Sequence, residues 1–136
     1  MKRVRTFIDA SLLIAAARGN QDISDRALEI LDDPARSFLT SDFVRLEVLP
    51  KAVYHRHQAE VHFYRVFFER AKRTVRSSRS LVAQAEQEAD LAGLSAVDAL
   101  HVAAAKKANC QELITAEKPD KPLFRVAGLK ITSIRS

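Results

Sequence analysis

Short runs of β-branched and aromatic residues alternate with helical stretches along the whole of this chain, and that alternation is its strongest constraint on fold. Val4-Arg5-Thr6-Phe7-Ile8 reads as a strand, ended by Asp9. Ala10 to Arg18 then reads as a helix closed by Gly19-Asn20, and about Ile23 to Leu31 as a second helix stopped by Asp32-Asp33-Pro34. Ser37 to Thr40 is a second strand, after which Ser41 can cap a helix that begins at Asp42 and contains Glu47. Pro50 offers no N–H to Leu46, so it is expected to kink or split that helix. Helical stretches follow at Lys51–His57 and Ala59–Lys72, then a short edge strand at Arg73–Arg76. Ser80 is the expected cap of the next helix, in which Leu81, Ala85, Ala89 and Ala92 share a face and which Gly93 ends. Ser95 caps another, with Val97, Leu100, Ala104 and Ala108 on its expected buried side. Glu112–Thr115 and Lys130–Ile134 complete the strands. The pattern predicts an α/β fold with a mainly parallel sheet and helices on both faces. In such sheets, sites form beyond the carboxyl ends of the strands.

The 136 residues are expected to form one domain, 1–136, with no internal repeat or linker. Hydrophobic residues at 47% and charged residues at 29% exclude a disordered chain. No apolar run reaches the ~20 residues of a membrane span. Cys110 stands alone, which excludes a disulfide framework and a thiolate metal site, and a reducing cytoplasm is the expected location. The net charge of +5 is unevenly spread. Lys51 to Arg79 holds 8 basic and 2 acidic residues, a sum of +6, while the flanking stretches sum to −1 and 0. A patch of that kind attracts a polyanion by releasing its counterions, although a solvated helical face would look the same in sequence.

Four acids stand out by position. Asp9 directly follows the first strand, Glu47 lies within Val44-Arg45-Leu46-Glu47-Val48-Leu49, Asp98 lies one turn into a helix, and Glu117 follows Leu113-Ile114-Thr115-Ala116. Each has a plainer explanation. Asp9 can be a helix cap, and Ser95-x-x-Asp98 has capping-box spacing. Glu47 and Glu117 can be surface residues. Taken together they point elsewhere. Carboxylates brought within ~4 Å repel by roughly 4 kcal/mol per pair at an effective dielectric of 20. A hard divalent cation with oxygen ligands offsets such repulsion. No His and Cys set suits zinc, because His55 and His57 are two apart and His101 reads as a packed helix-start histidine. Acids around Mg²⁺ or Mn²⁺, beside a basic surface bearing aromatic residues, suit phosphodiester hydrolysis without a side-chain nucleophile.

Four segments in order carry a resemblance: Phe7-Ile8-Asp9-Ala10-Ser11, Leu39-Thr40-Ser41 through Leu46-Glu47-Val48-Leu49, Gly93-Leu94-Ser95-Ala96-Val97-Asp98-Ala99-Leu100-His101-Val102-Ala103-Ala104-Ala105, and Leu113-Ile114-Thr115-Ala116-Glu117. Over nearly its whole length the chain resembles the PIN-domain ribonucleases, and among them the toxins of bacterial VapBC toxin–antitoxin pairs. The resemblance implies a three-layer α/β/α sandwich around a five-stranded parallel sheet. It also implies Mg²⁺- or Mn²⁺-dependent cleavage of single-stranded RNA, an antitoxin partner and a homodimer. Asp9, Glu47 and Asp98 match the family's core metal-binding acids, and Ser11 a small polar residue near the metal. The family's fourth acid is usually an Asp two residues after Thr or Ser. Here Thr115-Ala116 is followed by Glu117, one methylene longer, with Asp120 the alternative.

The helix at Ala59–Lys72 carries Phe63 with Phe67 and Tyr64 with Phe68, each pair four apart. They suit either a groove for an antitoxin helix or a platform for unpaired bases, with Phe63 and Phe67 expected to pack the core. Basic residues of the middle segment are expected to hold the RNA backbone. The rival function is a PIN-like scaffold that binds RNA or protein but barely cuts. An aspartyl-phosphate phosphatase with Asp9 as nucleophile ranks lower, because Ile8-Asp9-Ala10-Ser11 lacks a second acid two residues on.

Overall fold

The computed structural model describes residues 2–135. Its elements run β1 (Val4–Ile8), α1 (Ala10–Arg18), α2 (Gln21–Leu31), β2 (Arg36–Ser41), α3 (Asp42–Tyr54), α4 (Gln58–Arg70), β3 (Arg73–Val75), α5 (Arg79–Ala92), α6 (Ala96–Lys107), β4 (Glu112–Thr115), a 3₁₀ turn (Pro122–Arg125) and β5 (Lys130–Ser133). The five strands form one sheet in the order β3-β2-β1-β4-β5, and every pairing is parallel. The α/β sandwich with a five-stranded parallel sheet is therefore the architecture of this chain.

The central strands are apolar because both of their faces are covered. Phe7, Ile8, Leu113 and Ile114 are fully buried, at about 2 kcal/mol of burial each. Against them packs α6, whose Ala99 and Ala103 to Ala105 are all buried. Small side chains let that helix approach the sheet closely. Val97, expected on its inner face, is instead exposed.

Three local expectations need correction. Of the two outcomes expected at Pro50, the split does not occur: α3 runs unbroken from Asp42 to Tyr54 and takes in the stretch from Lys51. Leu46, whose carbonyl loses its partner, is 68% exposed, so water can satisfy that oxygen. The cap of α5 is Ser78 rather than Ser80; the Leu81 amide donates to Ser78 Oγ at 3.1 Å. Among four candidate residues Ser77-Ser78-Arg79-Ser80, the hydroxyl three positions ahead of Leu81 wins. On α4 the core pair is Tyr64 and Phe68, while Phe63 and Phe67 are only half-buried.

Gly93 closes α5 with φ +69, a left-handed turn that a side chain would strain. Ser95 then starts α6 by accepting from the Asp98 amide at 3.3 Å. This tight turn sets where the first turn of α6, and Asp98 with it, meets the carboxyl edge of the sheet.

At the opposite, amino edge, the buried Glu112 begins β4. It accepts from Arg36 Nη1 at 2.8 Å and from the Thr132 hydroxyl, with Lys130 Nζ at 3.5 Å. Burial pulls its carboxyl upward, but the Thr132 hydrogen bond and the Arg36 and Lys130 charges outweigh that and hold it below its ordinary value of 4.5. A depressed acid stabilises the fold above its unfolded value and loses that contribution as pH falls through the lower folded one. Glu112→Gln is therefore expected to cost about 2 kcal/mol in denaturant unfolding at pH 7, because the half-buried Arg36 loses its closer carboxylate and keeps only Asp33. The gap from wild type should narrow only below pH 4.5. A constant gap across pH 3 to 7 would contradict this assignment.

Candidate active site

Asp9 lies one residue beyond β1 and caps α1, so the plainer reading of that residue holds alongside any other role. Its Oδ1 accepts from the Leu12 amide at 3.0 Å and from the Ser11 hydroxyl at 2.8 Å. Ser11 Oγ also lies 2.9 Å from Thr115 Oγ1 and accepts from the Ala116 amide at 3.0 Å. Thr115 Oγ1 in turn accepts from the Glu117 amide at 3.1 Å. Two hydroxyls thus stitch the carboxyl ends of β1 and β4 together and fix the backbone from which Asp9 and Glu117 project.

The other acids reach the same edge from helices. Asp98 stands in the first turn of α6. Glu47, midway along α3, meets His101 one turn further along α6, with Oε1 2.6 Å from Nε2. His101 is 3% exposed, and its Nδ1 has no partner among the described residues. Asp120 is exposed in the loop beyond β4, and Glu117 is half-buried.

The electrostatics place these side chains in one neighbourhood. Burial pushes the Asp9 carboxyl above its ordinary range, against the opposing pull of Thr115, His101, the Leu12 amide and Ser11. Burial also raises Asp98; His101 offsets part of that and the Glu47 charge adds to it. Glu117 is raised by burial and then by the charges of Asp98 and Asp9. Burial is the main reason each acid is harder to ionise; a neighbouring carboxylate adds to it for Asp98 and Glu117. The Asp120 charge acts on none of the three.

Among the described residues, no three acid, His or Cys side chains already surround a common point as a ligand set. Like charges hold apart, and Glu47 is engaged by His101. The donor set still fits a hard divalent cation: it is carboxylate oxygen throughout, its charges repel one another, and no thiolate stands among them.

Sequence reasoning did not assign Thr115 or the Glu47–His101 pair. Position 101 is three residues after Asp98, so both face one side of α6, but only the fold reveals that α3 brings Glu47 to that face. The +6 segment also proves not to be one patch. Lys51 lies beside Glu47 in a groove of about 360 Å³ between α1, α3 and α4, together with Arg18, His55 and Tyr64. Arg70 and Lys72 lie at the amino edge of the sheet instead.

The sequence model of the PIN domain family matches residues 6–127. No curated protein matches the chain. Among solved structures, it is similar to VapBC2 from Rickettsia felis bound to a promoter DNA fragment, at 14% identity and TM-score 0.69, covering 96% of this chain and 98% of that one. It is also similar to VapC20 of Mycobacterium tuberculosis, a sarcin–ricin loop cleaving toxin, at 21% identity and TM-score 0.70, covering 91% and 95%. DNA-bound VapBC from Salmonella typhimurium matches at 14% identity and TM-score 0.66, covering 96% and 98%.

An acid whose folded value is raised lowers stability above that value, and the penalty fades as pH falls through it. Asp9→Asn removes the buried charge but keeps an oxygen for the Leu12 amide. In metal-free buffer at pH 7.5 its melting temperature is expected to exceed that of wild type by a few degrees. The difference should shrink toward pH 4. A lower melting temperature for the variant at every pH would contradict the assignment.

Proposed function

The chain belongs to the PIN domain family, a family of nucleases, and we propose that it is a Mg²⁺- or Mn²⁺-dependent endoribonuclease acting on single-stranded RNA, with residues 1–136 as one nuclease domain. The observation that carries this reading is the convergence of Asp9, Asp98 and Glu117 at the carboxyl ends of β1 and β4 and the start of α6, close enough that the charges of Asp98 and Asp9 both raise Glu117. Asp9, Asp98, Glu47 and Glu117 would hold the ion. When bound, such an ion supplies Lewis-acid activation of water and neutralises charge building on the phosphate.

The chain's own residues do the rest. Ser11 and Thr115 fix Asp9 and the backbone of Glu117 before anything binds. His101 holds Glu47, so that its carboxylate is oriented rather than free. Arg18 and Lys51, in the groove that also includes Glu47, are placed to hold phosphates on either side of the scissile bond.

The similarity to toxin–antitoxin complexes supports a second layer of the proposal: this is the toxin of such a pair, acting in the cytoplasm, as a homodimer restrained by an antitoxin. No helix of the described residues is long and apolar enough to cross a membrane. The groove between α1, α3 and α4 exposes Ile14 at its rim, and Tyr54 near the end of α3 is 81% exposed. An amphipathic antitoxin helix laid there would cover apolar surface and the acids at once.

One observation favours the rival reading of a weakly active scaffold: Glu47 is already engaged at 2.6 Å by a buried histidine. Calorimetric titration with Mn²⁺ separates the two. The nuclease is expected to bind the ion at low millimolar concentration or tighter, and the scaffold to bind none. RNA cleavage in Mg²⁺ or Mn²⁺ should fall at least about 100-fold, some 2.7 kcal/mol of barrier, in Asp9→Asn. Equal cleavage by wild type and variant would sink the assignment.

A further inference from the structure

The amino edge of the sheet carries a second feature that the nuclease reading does not use. Lys2, Arg3, Arg5, Arg36, Arg70 and Lys72 line a cleft of about 700 Å³ there. Only Arg36 is neutralised, by Glu112 and Asp33. Among the described residues the other five have no ion-pair partner. Along β1, at about 3.3 Å per residue, Val4 and Asp9 are roughly 17 Å apart, so this cleft faces away from the acids.

The cleft does not end in solvent. Phe38 and Arg70 also line an adjoining hollow of about 270 Å³, whose walls include Phe63, Val66 and Phe67. The Phe38 and Phe67 rings are tilted at 6.5 Å. Phe63 and Phe67 are the half-buried members of the α4 aromatic set: they pack against the core and keep part of their surface open to the hollow. A groove of unpaired cations opening onto aromatic faces is the arrangement that holds a single nucleic-acid strand: phosphates take the cations and a base takes the ring. An apolar protein helix would fit the hollow but would leave five cations without partners.

We propose that this edge is a second single-stranded RNA subsite, with Arg3, Arg70 and Lys72 on phosphates and a base against Phe63 and Phe67. It rests on the nuclease reading only for the choice of RNA as the polyanion. A strand held at both edges would be cut with a preference set partly by nucleotides far from the scissile bond. Long substrates would then be favoured over short ones.

The test uses full-length protein in chelator, so that binding is read without cleavage. The probe is a 20-nucleotide single-stranded RNA carrying 2-aminopurine. Neutralising Arg3→Gln, Arg70→Gln and Lys72→Gln together is expected to weaken binding at least tenfold at 0.1 M salt. It should also lower the slope of log affinity against log salt by about 2, at ~0.7 per phosphate contact. Phe63→Leu with Phe67→Leu should abolish 2-aminopurine quenching while leaving that slope in place. Mn²⁺ titration and cleavage of a trinucleotide should match wild type in all of them. If no variant cuts and wild type does not either, the nuclease reading fails while the binding result stands. Affinity and slope unmoved by the triple variant would overturn the subsite and leave the hollow to an acidic protein segment. Quenching unmoved by the phenylalanine variants would overturn it as well.

Discussion

The Ser11 hydroxyl sits at the centre of the site, touching Asp9 Oδ1, Thr115 Oγ1 and the Ala116 amide within 3.0 Å. Those three contacts join the ends of two neighbouring parallel strands, β1 and β4, at the level where both leave the sheet. The positions of Asp9 and Glu117 follow from that junction, and α6 brings Asp98 to the same level through the Gly93 turn and the Ser95 cap. A loop alone would not hold like charges together against their repulsion. A parallel sheet, buried on both faces and paired along each strand, is stiff enough to do so.

This arrangement carries a stability penalty at the site, which the rest of the molecule offsets. Asp9, Asp98 and Glu117 are all raised, so each opposes folding at neutral pH when no cation is near. The amino edge is organised in the opposite sense. There a single buried acid, Glu112, is surrounded by cations and held below its ordinary value. The protein is therefore polarised along the strand direction, with unpartnered negative charge at one edge and unpartnered positive charge at the other.

Much of this was legible in the sequence because it depends on local chemistry. The strand at Val4–Ile8, the Asp9, Ser41 and Ser95 caps and the Gly93 stop are set by residues a few positions apart, and each stands where the pattern places it. The misjudged features depend on surroundings. Pro50 is tolerated where Leu46, whose carbonyl it orphans, is exposed, a fact that periodicity does not carry. Phe63 with Phe67 and Tyr64 with Phe68 have the same spacing, so the pattern cannot choose the inward pair. The pair of Glu47 and His101 joins residues 54 apart in the chain and needs α3 to cross α6. The basic segment looked continuous because its members are sequential. The fold divides them, sending Lys51 to the groove beside Glu47, and Arg70 and Lys72 to the far edge.

The central claim is that the carboxyl-edge acids share one divalent ion. The most direct measurement is anomalous diffraction from crystals grown in low-millimolar Mn²⁺. The account predicts a manganese peak in contact with carboxylate oxygens of both Asp9 and Asp98, the ligand type that suits this ion. Glu47 or Glu117 should complete its shell. A cleft with no peak there, in protein that still cuts RNA under the same conditions, would contradict it.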